Sequence, residues 1–260
     1  MIGHWNLNPF AAVFAALLAG QAWSAEELQY PRTEIALDVG HENLTNNNLD
    51  WNVVQLDLSR QLADRYTIYG GLREIHRFGL KDTDGTAGFY YPLGATWTSV
   101  LEASVSWSHH VSPKYSFFGQ LHKTLGNGWG IEAGLRHSEY ERSAVDVLSA
   151  TAERYWGSWR GAYTLYAGRP QGAASGAAHR LQLTRYYNER NFIGVSYTTG
   201  REVENVGPPT GVRATEIKDW TISGRVWLSN AWGLTYELVS HEQGTLYRRQ
   251  GLRLGVRHSF

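Results

Sequence analysis

Acidic and histidine side chains that could activate water occur at several places in this chain. Asp82 and Asp84 stand two residues apart, and His241-Glu242 and His109-His110 are the histidines available to complement them. An acidic pair that faces an Asp–His pair is an arrangement that hydrolyses peptide bonds. No matching motif supplies that partner here, so a protease site is incomplete at the level of the sequence.

The segment His137-Ser138-Glu139 contains the residue types of a lipid esterase. A nucleophile and its base must lie within hydrogen-bonding distance of each other. Successive side chains on a strand point to opposite faces, so these three cannot converge, and the adjacent His109 and His110 cannot share a metal ion. No glycine-rich phosphate-binding loop joins a strand to a helix. We predict that the chain has no catalytic, cofactor or metal site and is not an enzyme, with an outer-membrane protease or lipid esterase as the alternative.

The composition excludes several classes of protein. Lys plus Arg and Asp plus Glu both number 24 in 260 residues, which argues against a nucleic-acid partner because such proteins are basic. The chain has no cysteine, and therefore no disulfides and no thiolate metal site. Its 11 Trp and 15 Tyr suit strands and membrane interfaces. A mean hydropathy of −0.39 does not fit a helical membrane protein.

The beginning of the chain differs from the rest. Residues 9–19 form an apolar run, and Ala22-Trp23-Ser24 supplies the small residues that a signal peptidase reads. We predict a signal peptide over residues 1–24, a short periplasmic segment over 25–32, and a β-barrel over 33–260. The mature protein would then be exported without a helical anchor.

Beyond residue 32 the apolar residues recur at every second position, which is the pattern of strands with one apolar and one polar face. An aromatic residue also follows a short turn at intervals of 30 to 40 residues, at Tyr66, Trp97, Trp129, Trp159, Phe192 and Trp232. This rhythm predicts seven hairpins, hence an all-β, antiparallel up-and-down barrel of fourteen strands, with twelve as the nearest alternative.

The predicted connections differ in length at the two ends of the barrel. Short turns precede the aromatic residues, whereas longer loops are expected at residues 43–50, 78–86, 108–114, 170–177 and 203–214. This asymmetry is typical of transmembrane barrels of the bacterial outer membrane. It predicts that both termini lie in the periplasm and that Asp82-Thr83-Asp84 lies in an outer loop.

A closed sheet in lipid should carry apolar residues outside and aromatic residues where the strands meet the headgroups. Trp97, Trp129, Trp159 and Trp232 follow the apolar parity and are predicted to form an aromatic girdle. In the final strand, Leu252, Leu254, Val256 and Phe260 form the alternating pattern, with a terminal aromatic residue, that the barrel assembly machinery reads. A soluble β-sandwich is the alternative, and its strands would be shorter.

The opposite parity should face the lumen and touch any polar solute. Candidate lumen-lining residues are Arg73, Glu102, His122, Glu132, Arg136, Arg160, Arg225, Glu237, Arg253 and Arg257. The alternative is a network of ion pairs that only fills the barrel, which would leave a plugged structural or receptor protein whose function resides in its loops.

Five segments combine aromatic, glycine and charged residues in distinctive runs. They are Tyr90-Tyr91-Pro92-Leu93-Gly94 with Trp97-Thr98, residues 134–140 (GLRHSEY), 153–160 (ERYWGSWR), 186–194 (YYNERNFIG) and 244–252 (GTLYRRQGL). These segments resemble the YaiO-type outer-membrane β-barrel family. The resemblance implies no catalytic residues. Because related barrels occur beside exopolysaccharide machinery, it does imply export of a glycan and partners in polysaccharide synthesis or export.

Together these observations predict a porin-like integral protein of the Gram-negative outer membrane, in contact with lipid and lipopolysaccharide. The predicted function is a pore or export conduit for a polar solute, with exopolysaccharide as the implied solute.

Overall fold

The computed structural model describes residues 32–188, 190–207 and 210–260, and these form a single closed sheet. The predicted signal peptide lies outside the described residues. The strands are β1 (Arg32–Leu44), β2 (Trp51–Ala63), β3 (Tyr66–Arg77), β4 (Leu80–Pro92), β5 (Trp97–Ser106), β6 (Tyr115–Gly126), β7 (Trp129–Glu139), β8 (Ala144–Trp156), β9 (Trp159–Pro170), β10 (Gly176–Tyr187), β11 (Asn191–Asn205), β12 (Val212–Trp227), β13 (Trp232–Gln243) and β14 (Tyr247–Ser259).

Each strand pairs with its two neighbours in an antiparallel ladder, and β1 closes the barrel on β14. Thr33 and Phe260 exchange two backbone hydrogen bonds of 2.9 Å at the end of that seam. We call this end, where the first and last strands meet, the terminal rim, and the opposite end the distal rim. The closed antiparallel barrel of fourteen strands confirms the predicted fold and strand count.

The two faces of the sheet have opposite chemistry. The outer face carries exposed apolar side chains along every strand, such as Leu37, Leu56, Leu135 and Leu254. Residues of the other parity are buried or half-buried within the barrel and are mostly polar. No helix in the described part of the chain is long and apolar enough to cross a membrane. A closed sheet with an apolar exterior satisfies its own backbone hydrogen bonds, which lipid cannot do.

The prediction of an outer loop over residues 78–86 is wrong. The connection between β3 and β4 consists only of Phe78 and Gly79, and both residues have positive φ, 53° and 74°. Asp82-Thr83-Asp84 therefore lies within β4, paired with β3, rather than in a loop over residues 78–86. Asp82, Asp84 and Thr86, which are common turn residues, are strand residues here because they line a polar interior.

The predicted loop at residues 203–214 is also largely strand. β11 and β12 continue their ladder past the last pair between β10 and β11, Ala178 with Gly200, as far as the pair Asn205 with Val212. Gly200 has φ of 127°, and a Cβ there would collide with the backbone of Ala177. The chain therefore bends at a position that needs glycine. We call residues 201–216 beyond this bend the inner hairpin.

Candidate functional site: the lumen and its inner hairpin

All ten candidate lumen-lining residues lie on the inner face of the barrel. This placement follows from the ladder register, because directly opposed residues of an antiparallel pair point to the same side. Arg73 faces Asp84, Glu102 faces Phe118, and Glu237 faces Arg253. The structure does not bring the ten into one cluster but distributes them around the wall and between the two rims.

A dense ion-pair network lies on the inner face near the terminal rim. Glu153 of β8 accepts a hydrogen bond of 2.7 Å from Arg160 Nε and lies 3.1 Å from His122 Nε2. Glu132 accepts a hydrogen bond of 2.7 Å from Gln120 Nε2. Buried charges persist only when they are paired in this way. These candidate residues therefore fill and order this part of the wall.

A second network lies midway along the barrel on β3 to β7. Arg73 donates to Asp84 Oδ2 at 2.9 Å, and Arg136 donates to Glu102 Oε1 at 3.1 Å. Tyr69 donates its hydroxyl proton to the second oxygen of Glu102 at 3.0 Å. The Arg73 and Arg136 side chains retain 29% and 23% exposure to the lumen, so this region is less tightly filled.

Two of the ten candidates have no partner among the described residues. Glu237 and Arg253 oppose each other on β13 and β14 but form neither an ion pair nor a hydrogen bond, and both are half-buried. Beside them, Arg257 donates to Glu34 at 2.7 Å, and Arg225 Nε donates to the Arg190 carbonyl at 3.0 Å. Among the described residues, the wall near the β1–β14 seam therefore has one carboxylate and one guanidinium without a protein partner.

The positive charges on the inner face are all arginines. They are Arg32, Arg73, Arg77, Arg136, Arg160, Arg180, Arg225, Arg249, Arg253 and Arg257. The four lysines of the chain, Lys81, Lys114, Lys123 and Lys218, lie on the outer face or in a loop. Arginine suits this position because its planar fork satisfies several acceptors at once.

The inner hairpin crosses the lumen near the distal rim. Val203 is fully buried and packs with Tyr140, Val145 and Val147 of the β7–β8 wall. A Cβ added to Gly168 of β9 would lie 2.9 Å from Val203 Cγ2, so the absence of a side chain there makes room for the hairpin. One face of the hairpin is therefore an apolar contact with the barrel wall.

The other contacts of the hairpin are polar and reach different parts of the rim. Asn205 Nδ2 donates to the Val111 carbonyl at 3.2 Å, in the loop between β5 and β6. Glu204 lies 3.9 Å from Arg77 Nη1 and accepts a hydrogen bond of 3.4 Å from the Tyr247 hydroxyl. Residues 202–207, on the β11 arm of the hairpin, are therefore buried on both faces inside the distal end of the barrel.

Asp82 holds the loop over residues 107–114, whose Val111 carbonyl accepts the hydrogen bond from Asn205. The carboxylate of Asp82 is fully buried and accepts hydrogen bonds from the backbone N–H groups of His110, Val111 and Ser112 at 2.9, 2.8 and 2.7 Å. The His110 Nδ1 atom lies 2.8 Å from the same carboxylate, and this hydrogen bond raises the pKa of His110. Asp82 therefore fixes the loop in front of the lumen.

The residues considered for hydrolytic chemistry do not converge. Asp82 is occupied by the loop, and Asp84 by Arg73. His241, on β13, instead pairs with Asp219 at 3.1 Å. Ser138 is buried on the inner face, whereas His137 pairs with Asp146 at 2.8 Å on an exposed part of the wall. The prediction that the chain is not an enzyme stays a prediction.

The predicted girdle and terminal residues lie on the outer face. Trp97, Trp129 and Trp232 are 39%, 44% and 51% exposed, each at the first position of its strand. Trp159 begins β9 in the same way. Leu252, Leu254, Val256 and Phe260 are exposed along β14. His258, which breaks the apolar pattern, packs between the rings of Trp232 and Phe260 at 4.5 and 5.6 Å.

Solved structures share this architecture at very low sequence identity. OccD1 (OprD) matches with a TM-score of 0.51 and 6% identity over 89% of this chain and 96% of its own. A loop-deleted OmpT of Vibrio cholerae has a TM-score of 0.50 and 9% identity over 88% and 98% of the two chains. An anion-selective porin from Comamonas acidovorans has a TM-score of 0.50 and 8% identity over 88% and 98%. These similarities concern the fold alone.

No curated protein matches the chain by sequence. A family profile does match: the YaiO membrane beta barrel domain, over residues 32–205. That match begins at the first residue of β1 and extends to the last residue of β11, so it covers most of the barrel wall. The chain therefore belongs to the YaiO family of outer-membrane β-barrels.

Proposed function

We propose that this barrel conducts a polar solute across the outer membrane and that the inner hairpin gates its lumen. The observation that carries the proposal is the hairpin docked across a polar, arginine-lined interior. Its apolar anchor is a small cluster around Val203, and its other contacts are single hydrogen bonds and ion pairs. Such contacts are individually worth about 1 kcal/mol, so the hairpin can separate from the wall without unfolding the barrel.

The position of the bend supports a gating motion. The hairpin leaves the ladder at Gly200, immediately beyond the last pair between β10 and β11. Glycine adopts many backbone conformations at low cost, so rotation at this residue moves the hairpin as a unit. The remainder of β11 stays in the wall through its pairs with β10 and β12.

The lengths of the connections support one orientation in the membrane. The terminal rim carries only short turns, such as Asn127-Gly128 and Gly157-Ser158, while the distal rim carries the loop over residues 107–114 and the inner hairpin. Outer-membrane barrels place short turns in the periplasm and longer loops outside. We infer that both termini face the periplasm and that the hairpin closes the external mouth.

A polysaccharide is the solute that we favour. Aromatic rings line the inner face near the terminal rim, where Tyr155 and Tyr186 stack with centroids 6.5 Å apart and Phe192 follows at 6.3 Å. Charged and hydrogen-bonding groups surround them, including Arg160. A wall that alternates flat apolar rings with multiple donors suits sugar rings, which present both kinds of surface. Exopolysaccharide would therefore enter at the periplasmic end.

A reversible crosslink tests the gate. The ideal Cβ position of Gly168 lies 3.3 Å from Val203 Cβ, close to the separation of about 3.5–4.5 Å in a disulfide. Because the chain has no cysteine, the double variant Gly168→Cys/Val203→Cys introduces the only pair of thiols. In planar bilayers we expect the oxidised protein to pass little current and the reduced protein to regain wild-type conductance.

Two controls complete the test. Each single cysteine variant should conduct like wild type under the same oxidant, and a variant in which a short turn replaces residues 203–214 should remain open. The proposal is overturned if oxidised and reduced double variants conduct equally. It is also overturned if the hairpin deletion, folded by its gel mobility before and after heating, passes no current above background. That second result would favour a permanently plugged structural or receptor barrel.

A further inference from the structure

A cluster of metal-ligand-type side chains lies where the inner hairpin meets β13. Glu202 and Glu204 of the hairpin and His241 of β13 each place one potential ligand atom within 4.8 Å of the others. All three side chains are buried, with relative exposures of 3%, 1% and 2%. The cluster joins the movable hairpin to the fixed wall.

Glu202 has no partner in the described part of the chain, and Glu204 is only partly satisfied. Glu202 forms no hydrogen bond and no ion pair with any described residue, although it is almost fully buried. Glu204 Oε1 is buried without a hydrogen bond and lies 3.9 Å from Arg77 Nη1, while Oε2 accepts from the Tyr247 hydroxyl at 3.4 Å. A carboxylate buried without a partner is stabilised by taking up a proton or by binding a cation.

Both ring nitrogens of His241 have an oxygen neighbour. Nδ1 lies 3.1 Å from Asp219 Oδ2, and a proton on Nδ1 would leave the lone pair of Nε2 available to a cation. Nε2 lies 2.5 Å from Gln243 Oε1. A cation bound to Nε2 would therefore take the place of the proton that otherwise joins Nε2 to the Gln243 oxygen.

We propose that Glu202, Glu204 and His241 bind one Zn²⁺-class divalent cation, which ties the inner hairpin to β13. One imidazole and two carboxylates form a donor set typical of zinc, whereas calcium requires more oxygen ligands. Zinc binding requires these three atoms, which lie within 4.8 Å of one another, to approach the ion to about 2.0–2.2 Å. The role of the ion in holding the lumen closed rests on the proposed gating function, but the site itself does not.

Calorimetry on the whole folded barrel in detergent tests the site. After treatment with EDTA and removal of the chelator, ZnCl₂ should bind with a stoichiometry of one. Glu202→Gln, which keeps the shape and removes the charge, should weaken binding more than about tenfold. The matched control is His122→Gln, because His122, Glu132 and Glu153 form a similar cluster whose members are already partnered. This control should bind zinc like wild type.

Hydrogen exchange of the amides of residues 201–207 then measures whether bound zinc holds the inner hairpin against β13. This assay needs no measurement of current. At free zinc about 100 times its Kd, exchange of these amides should slow by about 100-fold in wild type and remain unchanged in Glu202→Gln. The inference is overturned if Glu202→Gln binds zinc as tightly as wild type, if His122→Gln loses binding equally, or if calcium binds there in preference to zinc. It also fails if zinc binds without slowing exchange. Failure of the crosslinking experiment would affect only the gating function.

Discussion

Replacing Asp82 by Asn should free the loop that receives the inner hairpin. In the wild-type protein, Asp82 Oδ2 accepts hydrogen bonds from the backbone N–H groups of Val111 and Ser112, and Oδ1 accepts from His110. An asparagine side chain keeps one acceptor oxygen and places an NH₂ group where the other stood. In either orientation of the amide, at least one of these donors then faces another donor.

The expected magnitude follows from these bonds. In the better orientation the amide oxygen stays with Val111 and Ser112, and the hydrogen bond from the His110 N–H group is lost. Hydrogen bonds to a charged acceptor contribute about 1.5–3 kcal/mol each, so the loss amounts to at least about 1.5–3 kcal/mol. Because about 1.4 kcal/mol corresponds to a factor of ten, local opening of the loop should become more frequent by about one to two orders of magnitude. The barrel ladder is not involved and should remain intact.

Amide hydrogen exchange measured by mass spectrometry on the segment 107–114 is the appropriate assay. Asp84→Asn is the matched control, because Asp84 lies on the same strand and face but pairs with Arg73 instead of the loop. We expect Asp82→Asn alone to accelerate exchange in this segment. If its exchange rates stay within about threefold of the wild-type values, the carboxylate does not hold the loop and the reasoning is refuted.

Two further predictions concern the loop and the lipid-facing wall. The hydrogen bond to Asp82 raises the pKa of His110, so its contribution to loop order is present below the ordinary pKa of about 6.5 and is lost as pH rises through the raised value. Exchange in residues 107–114, corrected for its intrinsic pH dependence, should therefore increase between about pH 6 and pH 9. A His110→Asn variant that kept the same pH dependence would contradict this. On the outer face, Leu254→Arg should lower the free energy of unfolding in lipid vesicles by about 2–4 kcal/mol, whereas Arg253→Gln on the inner face should change it little. Equal losses for the two variants would show that the assignment of faces is wrong.

The barrel could be predicted from the sequence because lipid imposes a simple rule on every strand. Alternation such as Leu252, Leu254 and Val256 against Arg253 and Arg257 must persist wherever one face meets hydrocarbon. The aromatic residues that begin the strands mark the period of the hairpins, so the strand count follows. These signals are local, and no knowledge of side-chain packing is needed to read them.

The distal rim could not be predicted in the same way. A two-residue hairpin turn normally favours Asn-Gly, yet Phe78-Gly79 makes the turn here, and the Phe78 ring packs 5.1 Å from that of Trp51. Val203 carries no sign that it is anchored in a cluster on the far wall. Such features depend on contacts between residues distant in the chain, as between Asn205 and Val111, which a pattern of alternation does not contain.

The exclusive use of arginine on the inner wall has an electrical consequence. A guanidinium group keeps its proton throughout the range in which carboxylates and imidazoles titrate. Acidification can therefore only remove negative charge from this wall or add positive charge, and the fixed cations remain. The reversal potential of any ionic current through the barrel should move in one direction as the medium becomes acidic, toward a preference for anions.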